Sequence, residues 1–395
     1  MKYAIVILDG AAGWPLEALG GQTTLAAART PHLDALARAG RVGRAQTVPA
    51  GTEPSSSAAC TSILGYDPVA DYVGRGAIEA ASMGIMLEPG QVALRLNLVA
   101  IEDGIMKSYS CGGISTEESN AILFDIAGSL DDDTFTLHPG VAYRHILVVT
   151  GYPELLEASY TPPHDISDRA VAPHLPTGPG AEVLLDYMRR ARPLLENSAV
   201  NRCRISEGSC GATDAWPFWP GTKPQDLMTF QRKRGISAAM SSGVDLLGGL
   251  AALTGMDRLV IAGVTGGSDN DYAAQAGGSL AALDDHDLVV IHVEAPDEEG
   301  HEGSIAGKVE AIEAIDRFVI AAVRARADGG DLRILAMPDH PTPVAIKTHV
   351  GDAVPFVLWG PGIEPNGASV YSEDAASATG LLLDPGRLVM DELLG

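Results

Sequence analysis

Three strand-length apolar runs, Tyr3–Leu8, Leu288–Val293 and Leu332–Met337, each give way within a few residues to an acid: Asp9, Asp297 and Asp339. Unbroken apolar runs of this length predict strands of a parallel sheet covered on both faces, since a half-exposed strand would alternate. The segments around them carry the other period. Pro31–Ala39 reads as a helix with Thr30-Pro31 at N-cap and N1, and Val309–Arg324 as an amphipathic helix. Arg258–Ala262 and Val354–Leu358 add strands, and Ala273–Leu283 adds a helix. Strand and helix in alternation predict an α/β sheet, and such sheets bind ligands just beyond their strand ends.

Roughly between residues 100 and 245 this rhythm breaks. Asp131–Asp133, the proline-bearing Tyr160–Pro163 and Pro173–Pro179 segments, and the aromatic group Trp216, Phe218 and Trp219 lie there. The expectation is a core made of residues 1–100 and 246–395, with 101–245 inserted as a cap. A charged fraction of 20% beside 46% hydrophobic residues describes a packed globular chain. The net charge of −24 argues against nucleic acid or an anionic membrane as partner. With only 27 Lys and Arg, bound metal ions become a natural source of local positive potential. Cys60, Cys111, Cys203 and Cys210 show no metal-binding spacing and read as free thiols of a reducing compartment. MKYAIVILDG lacks the basic start and cleavage site of a signal peptide, and no run reaches membrane-spanning length, so a cytoplasmic location is expected. Oligomeric state is not legible.

Chemistry concentrates at the strand ends. Asp297 and His301 are four apart, which on one helical turn puts both on one face, suited to a divalent metal. The same residues also fit a capping Asp beside a surface His. Asp339 and His340 follow a strand in a proline-fixed extended segment, with His349 nearby, and are expected to point in different directions. Asp9-Gly10 fits either a turn or a metal position. Three acids at three strand ends, two with histidines in a chain of ten His, make a shared metal centre the stronger reading. Ser56 opens a helix-like stretch after a hydroxyl-rich loop, a position that caps a helix or, beside metals, attacks phosphorus.

Together with Gly65-Tyr66-Asp67-Pro68, Glu79–Gly84, Tyr143-Arg144-His145, Pro162–Asp165, Val244–Leu246 and Glu294–Glu298, these motifs resemble the archaeal-type, cofactor-independent phosphoglycerate mutases of the alkaline phosphatase superfamily. The resemblance covers nearly the whole chain and extends to proposed homoserine kinases. It implies an alkaline-phosphatase-like α/β core, with a mostly parallel sheet flanked by helices and an inserted α+β cap. It implies two divalent ions, usually Mn2+ with Zn2+, Mg2+ or Co2+ as alternatives. Asp297, His301 and His349 would hold one ion; Asp9, Ser56, Asp339 and His340 would hold the other. Ser56 would be the nucleophile that becomes phosphoserine. The substrate would be a small phosphorylated or phosphonylated carboxylate. Arg144, Arg75, His164 and Asp165 are the candidate substrate-binding residues, Arg75 fitting a surface ion pair equally well.

Around the intact metal positions the sequence departs from the family pattern. Gly113 replaces a histidine, Gly248 and Gln275 replace lysines, and Ser57 and Cys60 alter the segment following the nucleophile. Losing one preorganised donor to a transferring phosphoryl group costs about 2.7–4 kcal/mol. These changes raise the expectation of extra room for a bulkier substrate, and of phosphoryl or phosphonyl transfer on a non-glycolytic metabolite in specialised biosynthesis. A phosphatase or phosphodiesterase on the same core is a further alternative.

Overall fold

Strand β1 (Lys2–Leu8) lies inside an eight-stranded sheet, with β10 (Leu288–Val293) and β11 (Leu332–Met337) parallel on either side. The other members are β2 (Arg41–Ala45), β8 (Ala238–Ser241), β9 (Asp257–Leu259), β12 (Val354–Trp359) and β13 (Leu382–Leu383). The order is β13-β2-β12-β11-β1-β10-β8-β9, and only β12 runs antiparallel to its neighbours. This computed structural model describes residues 1–71, 73–223 and 226–395.

The apolar run of β1 divides by the strand period. Ala4, Val6 and Leu8 pack on one face with Leu33, Leu36, Ile312 and Val319, from the helix Pro31–Ala39 and the helical stretch from Ile305. Ile5 and Ile7 pack on the other with Ile63 and Leu250, from the helices Ser56–Ile63 and Asp245–Thr254. A one-residue slip would exchange both faces and move Asp9 from its place. Each buried aliphatic side chain contributes about 1.5–3 kcal/mol, so this packing fixes the register that places the acid.

Contacts divide the chain into two units, Met1–Tyr72 with Leu227–Gly395, and Val73–Asp226. These limits differ from the expected 100 and 246. Residues 73–100 fall in the second unit because β3 (Gln91–Glu102) is the central strand of its antiparallel sheet. Residues 227–245 fall in the first because β8 pairs with β10. In the second unit β3 is joined by β4 (Ile105–Ser108), β5 (Phe135–Val141), β6 (Arg144–Thr150) and β7 (Asp214–Gly221), with β6 and β7 on its two edges. Leu94, Leu96 and Leu98 pack with the helices Thr116–Leu130 and Ala181–Asn197. Alternation sends Arg95 and Asn97 to the opposite face.

Candidate active site

β10, β1 and β11 are adjacent and parallel, so their C-terminal ends open side by side. Asp9 follows β1, the helix Ala295–Glu302 carries Asp297 and His301 after β10, and Asp339-His340 follow β11. Asp9, Asp339 and His340 are fully buried, and Asp297 nearly so. The seven residues expected as metal ligands are brought together. His301 Nε2 is 3.1 Å from Asp297 Oδ2 and 2.8 Å from His349 Nε2, while His349 Nε2 is 3.4 Å from Asp297 Oδ1. His340 Nε2 is 3.6 Å from Asp9 Oδ1, 3.4 Å from Asp339 Oδ2 and 3.2 Å from Ser56 Oγ. The expectation that Asp339 and His340 diverge needs correcting: both side chains turn to one centre. Gly10 N–H and His340 N–H both donate to Asp339 Oδ1 and leave Oδ2 facing His340.

The tautomers follow from the partners. His301 Nδ1 meets the Lys347 carbonyl at 3.0 Å and His349 Nδ1 meets the Pro54 carbonyl at 3.2 Å. A carbonyl only accepts, so each Nδ1 carries a proton and each Nε2 faces inward, donating to Asp297 while the ring is protonated and offering a lone pair once that proton leaves. Thr342 Oγ1 donates to Asp297 Oδ1 and therefore accepts from His340 Nδ1, 3.3 Å away, which directs His340 Nε2 inward as well. Three inward-facing imidazole nitrogens and several carboxylates form a donor cluster that protons or metal cations must neutralise.

The electrostatics agree. Burial, then Asp339 and Glu294, raise Asp9 well above the usual carboxylate range, and burial raises Glu294 to about 7. Asp9 Oδ1 and Glu294 Oε2 are buried without a hydrogen-bond partner. Asp297 is held far below the usual range, against its burial, by hydrogen bonds from His301 and His349. The bond to Asp297 pushes His301 up to about 9. The donor sets Asp9–Asp339–His340 and Asp297–His340–His349 each lie within 4.8 Å. Nitrogen and oxygen donors of this kind fit divalent ions.

Sequence reasoning gave no role to three further residues. His292, fully buried, donates from Nε2 to Asp9 Oδ2 at 2.8 Å while Ser242 Oγ donates to its Nδ1 at 3.0 Å, so it orients Asp9. Lys308, also fully buried, donates to the carbonyls of Ala12 and Thr342 and ties the loop after β1 to the loop after β11. Thr342 is the third. Of these, His292 had a visible signal, lying in the same motif as Asp297; Lys308 had none, being a single lysine in an amphipathic helix.

Ser56 is the first residue of the helix Ser56–Ile63, whose N-cap is Ser55, accepting from Ala58 N–H. Its hydroxyl thus stands at a helix N-terminus beside the buried acids, where an anionic group is favoured.

The four expected substrate residues all lie in the second unit. Arg75 stacks on Trp219, 3.8 Å from ring centroid to guanidinium carbon, and pairs with Glu79 at 2.9 Å. Glu79 also pairs with Arg95, which donates to Asn97. Arg75 is thus in the ion pair that its sequence allowed. Arg144 is exposed and makes no ion pair among the described residues. His164 lies 5.6 Å from Trp219 and 6.1 Å from Tyr109 between ring centroids, and Asp165 is mostly exposed beside it. Two arginines share one glutamate and a third has none, so positive charge gathers locally around Arg75, Arg95 and Arg144 in a unit that is acidic as a whole.

A sequence profile of the family described as 2,3-bisphosphoglycerate-independent phosphoglycerate mutase matches residues 37–201. A protein of Geobacter sulfurreducens, named a probable 2,3-bisphosphoglycerate-independent phosphoglycerate mutase, is 42% identical and covers 100% of both chains. One of Methanothrix thermoacetophila with that name is 42% identical over 96% of both. The chain belongs to this phosphoglycerate mutase family. The solved cofactor-independent phosphoglycerate mutase of Thermoplasma acidophilum has a TM-score of 0.71 at 27% identity, covering 100% of this chain and 99% of that one. The PH0037 protein of Pyrococcus horikoshii has a TM-score of 0.84 at 27% identity, covering 100% and 96%. The chain is accordingly a metal-dependent phosphotransferase of the isomerase type, with a mixed α/β fold.

The departures from the family pattern look different in three dimensions. A Cβ on Gly248 would lie 2.8 Å from the Arg258 guanidinium carbon, so an arginine already fills the space that the small residue was expected to free. Gln275 is fully buried, donating to the His292 carbonyl and accepting from Asn270; it supports the site's frame. Cys60 is fully buried beside Asp339. Gly113 alone matches the expectation of open space, with nothing within 4 Å of an added Cβ.

Proposed function

We propose that the chain moves a phosphoryl group between two hydroxyls of a small phosphorylated hydroxy-carboxylate, with 3-phosphoglycerate as the substrate, through phosphoserine at Ser56. The observation that carries this is Ser56 Oγ at the helix N-terminus, 3.2 Å from His340 Nε2 and within the buried donor cluster. Asp297, His301 and His349 would hold one divalent ion, and Asp9, Ser56, Asp339 and His340 the other, Mn2+ being the ion that the resemblance implies. Bound there, such ions lower the pKa of a serine hydroxyl and neutralise charge on phosphoryl oxygens.

Ser56 Oγ attacks phosphorus in line; its bond to phosphorus forms as the substrate's ester P–O bond breaks. The leaving alkoxide takes up a proton in exchange for the one Ser56 lost, the glycerate reorients, and its second hydroxyl loses a proton and attacks phosphorus as the Ser56 Oγ–P bond breaks. His292 holds Asp9, and Thr342 holds Asp297 and His340, so the donors need little reorganisation as charge develops. Arg144, Arg75 and His164, with Asp165 beside them, serve the carboxylate end, supported by the local cluster of Arg75, Arg95 and Arg144. The place of action is the cytoplasm, supported by four unpaired cysteines. No helix among the described residues is long and apolar enough to cross a membrane.

Phosphorus NMR of the Mn2+-loaded protein with 3-phosphoglycerate tests the reading. Formation of 2-phosphoglycerate, lost in Ser56→Ala, is the expected result. Release of inorganic phosphate would make it a phosphatase. No turnover at full metal occupancy would favour the second reading, transfer on another metabolite.

A further inference from the structure

Cys60 stands four residues after Ser56 on the same helix, so both side chains emerge on one helical face. It is fully buried, with Sγ 3.8 Å from Asp339 Oδ2. Its sulfur and donor atoms of His292 and Asp339 lie within 4.8 Å of one another, as do donors of Asp9, Asp339 and His340. Asp9, also fully buried, presents an Oδ1 with no hydrogen-bond partner, 3.6 Å from His340 Nε2. His292 is committed to Asp9 and Ser242, and Asp339, common to both groups, brings the sulfur next to the Asp9–Asp339–His340 set.

A buried thiol is ordinarily a small apolar group. Part of Cys60 meets that description, because Ile63, Leu64 and Met337 belong to the same core cluster. Apolar packing accounts for the burial, and without a metal the thiol S–H donates to Asp339 Oδ2, a carboxylate of the donor cluster. With bonds of ~2.3 Å to sulfur and ~2.0–2.2 Å to oxygen, donors on one tetrahedral zinc sit roughly 3.5 Å apart. The observed 3.8 Å is close to that separation.

We propose that Cys60 is an additional ligand of the ion held by Asp9, Asp339 and His340, and that it makes this site select a thiophilic divalent ion such as Zn2+ or Co2+. The inference rests on the metal reading of the site given above. Coordination exchanges the thiol proton for the metal, and the proton leaves to solvent. Thiolate is a soft donor, so it favours Zn2+ and Co2+ over Mn2+ and Mg2+, which prefer oxygen. The Asp297–His301–His349 set has no sulfur donor and keeps the harder preference. The two sites of one chain therefore differ in the ion they hold.

Cobalt reports on this directly, because a thiolate bound to Co2+ gives a near-ultraviolet charge-transfer band that oxygen and nitrogen donors do not. The metal-free protein is titrated with Co2+ and its absorption followed, in parallel with Cys60→Ser and Cys60→Asn. The wild type is expected to develop the band, and both variants to lose it while retaining the visible d–d bands of bound cobalt. Zn2+ affinity of the variants, measured by competition, should fall at least the 10- to 100-fold that losing even an outer-shell partner costs, with Mn2+ affinity changed far less. A band that persists in the variants, or is absent from wild type with both sites filled, overturns the proposal and leaves the two-metal reading standing. Absence of any Co2+ or Mn2+ binding would overturn both. Two variants are used because one may lose its fold, and far-ultraviolet circular dichroism identifies which is intact.

Discussion

At Gly10 the backbone turns with φ +60°, a conformation that glycine adopts freely, and an added Cβ would fall 2.6 Å from Thr342 Oγ1 and 2.8 Å from the Asp297 Cα. The clash includes backbone and no side-chain rotation relieves it. Gly10→Ala should therefore destabilise by more than about 1 kcal/mol and weaken metal binding together, because Asp297 is displaced. Calorimetry of the folded variant checks the second effect. A different residue supplies a pH signature. His145 accepts from Gly140 N–H at Nδ1, so its proton sits on Nε2, buried with no partner. Burial, then the nearby Arg95, lowers its pKa from 6.5 to about 3. Between those values the unfolded chain binds the proton and the folded one does not, so stability is complete above 6.5 and falls with falling pH. The slope approaches about 1.4 kcal/mol per pH unit in that window. Urea unfolding of His145→Leu at pH 7 and pH 5 should show a smaller loss than wild type.

At the scale of elements, the strands with uninterrupted apolar runs were legible: β10 and β11 have the expected limits, and β1 begins one residue earlier. β2, β8 and β13 were not, since RVGRA, AAMS and a two-residue bridge carry too little pattern for a period to emerge. The predicted helix Val309–Arg324 is part of a longer stretch, α-helical over Ile305–Ala314 and Ala321–Ala327 with π geometry at Ile315–Ile320 between them. Periodicity averages over such a turn and cannot reveal it. The turn presents Asp316, which accepts from the N–H groups of His32 and Leu33 and so caps the helix Pro31–Ala39. Thr30, in the N-cap position, makes no side-chain cap bond. Asp316→Ala should cost about 1–2 kcal/mol, as loss of a helix cap does, read from urea midpoints, with metal affinity unchanged. Retention of wild-type stability would show that the cap is idle.

Across the whole molecule, Asp9, Asp297, His301, Asp339 and His340 could be named from the sequence because each follows a strand whose apolar run is unmistakable, whereas Ser56 opens a helix and His349 lies further along the loop after β11. Their convergence was read from the coincidence of three strand-end acids; the neighbouring places of β10, β1 and β11 in the sheet, which bring it about, are a fact of topology that no local pattern carries. For the same reason Gly248 read as empty space until Arg258 was found filling it. Buried carboxylates at Asp9, Glu294, Asp297 and Asp339 make the folded state depend on cations. Saturating one site at 100 times its Kd adds about 2.7 kcal/mol, so chelation should lower the Tm, and Mn2+ or Zn2+ should restore it. An unchanged Tm on chelation would contradict the metal reading. The central claim, that the phosphoryl group passes through Ser56, is tested most directly by rapid acid quenching of metal-loaded protein with 3-phosphoglycerate, followed by mass spectrometry of the peptide spanning Ser55, Ser56 and Ser57. The account predicts phosphate on Ser56 alone and none in Ser56→Ala; phosphate on a neighbouring serine, or catalytic turnover by Ser56→Ala, would contradict it.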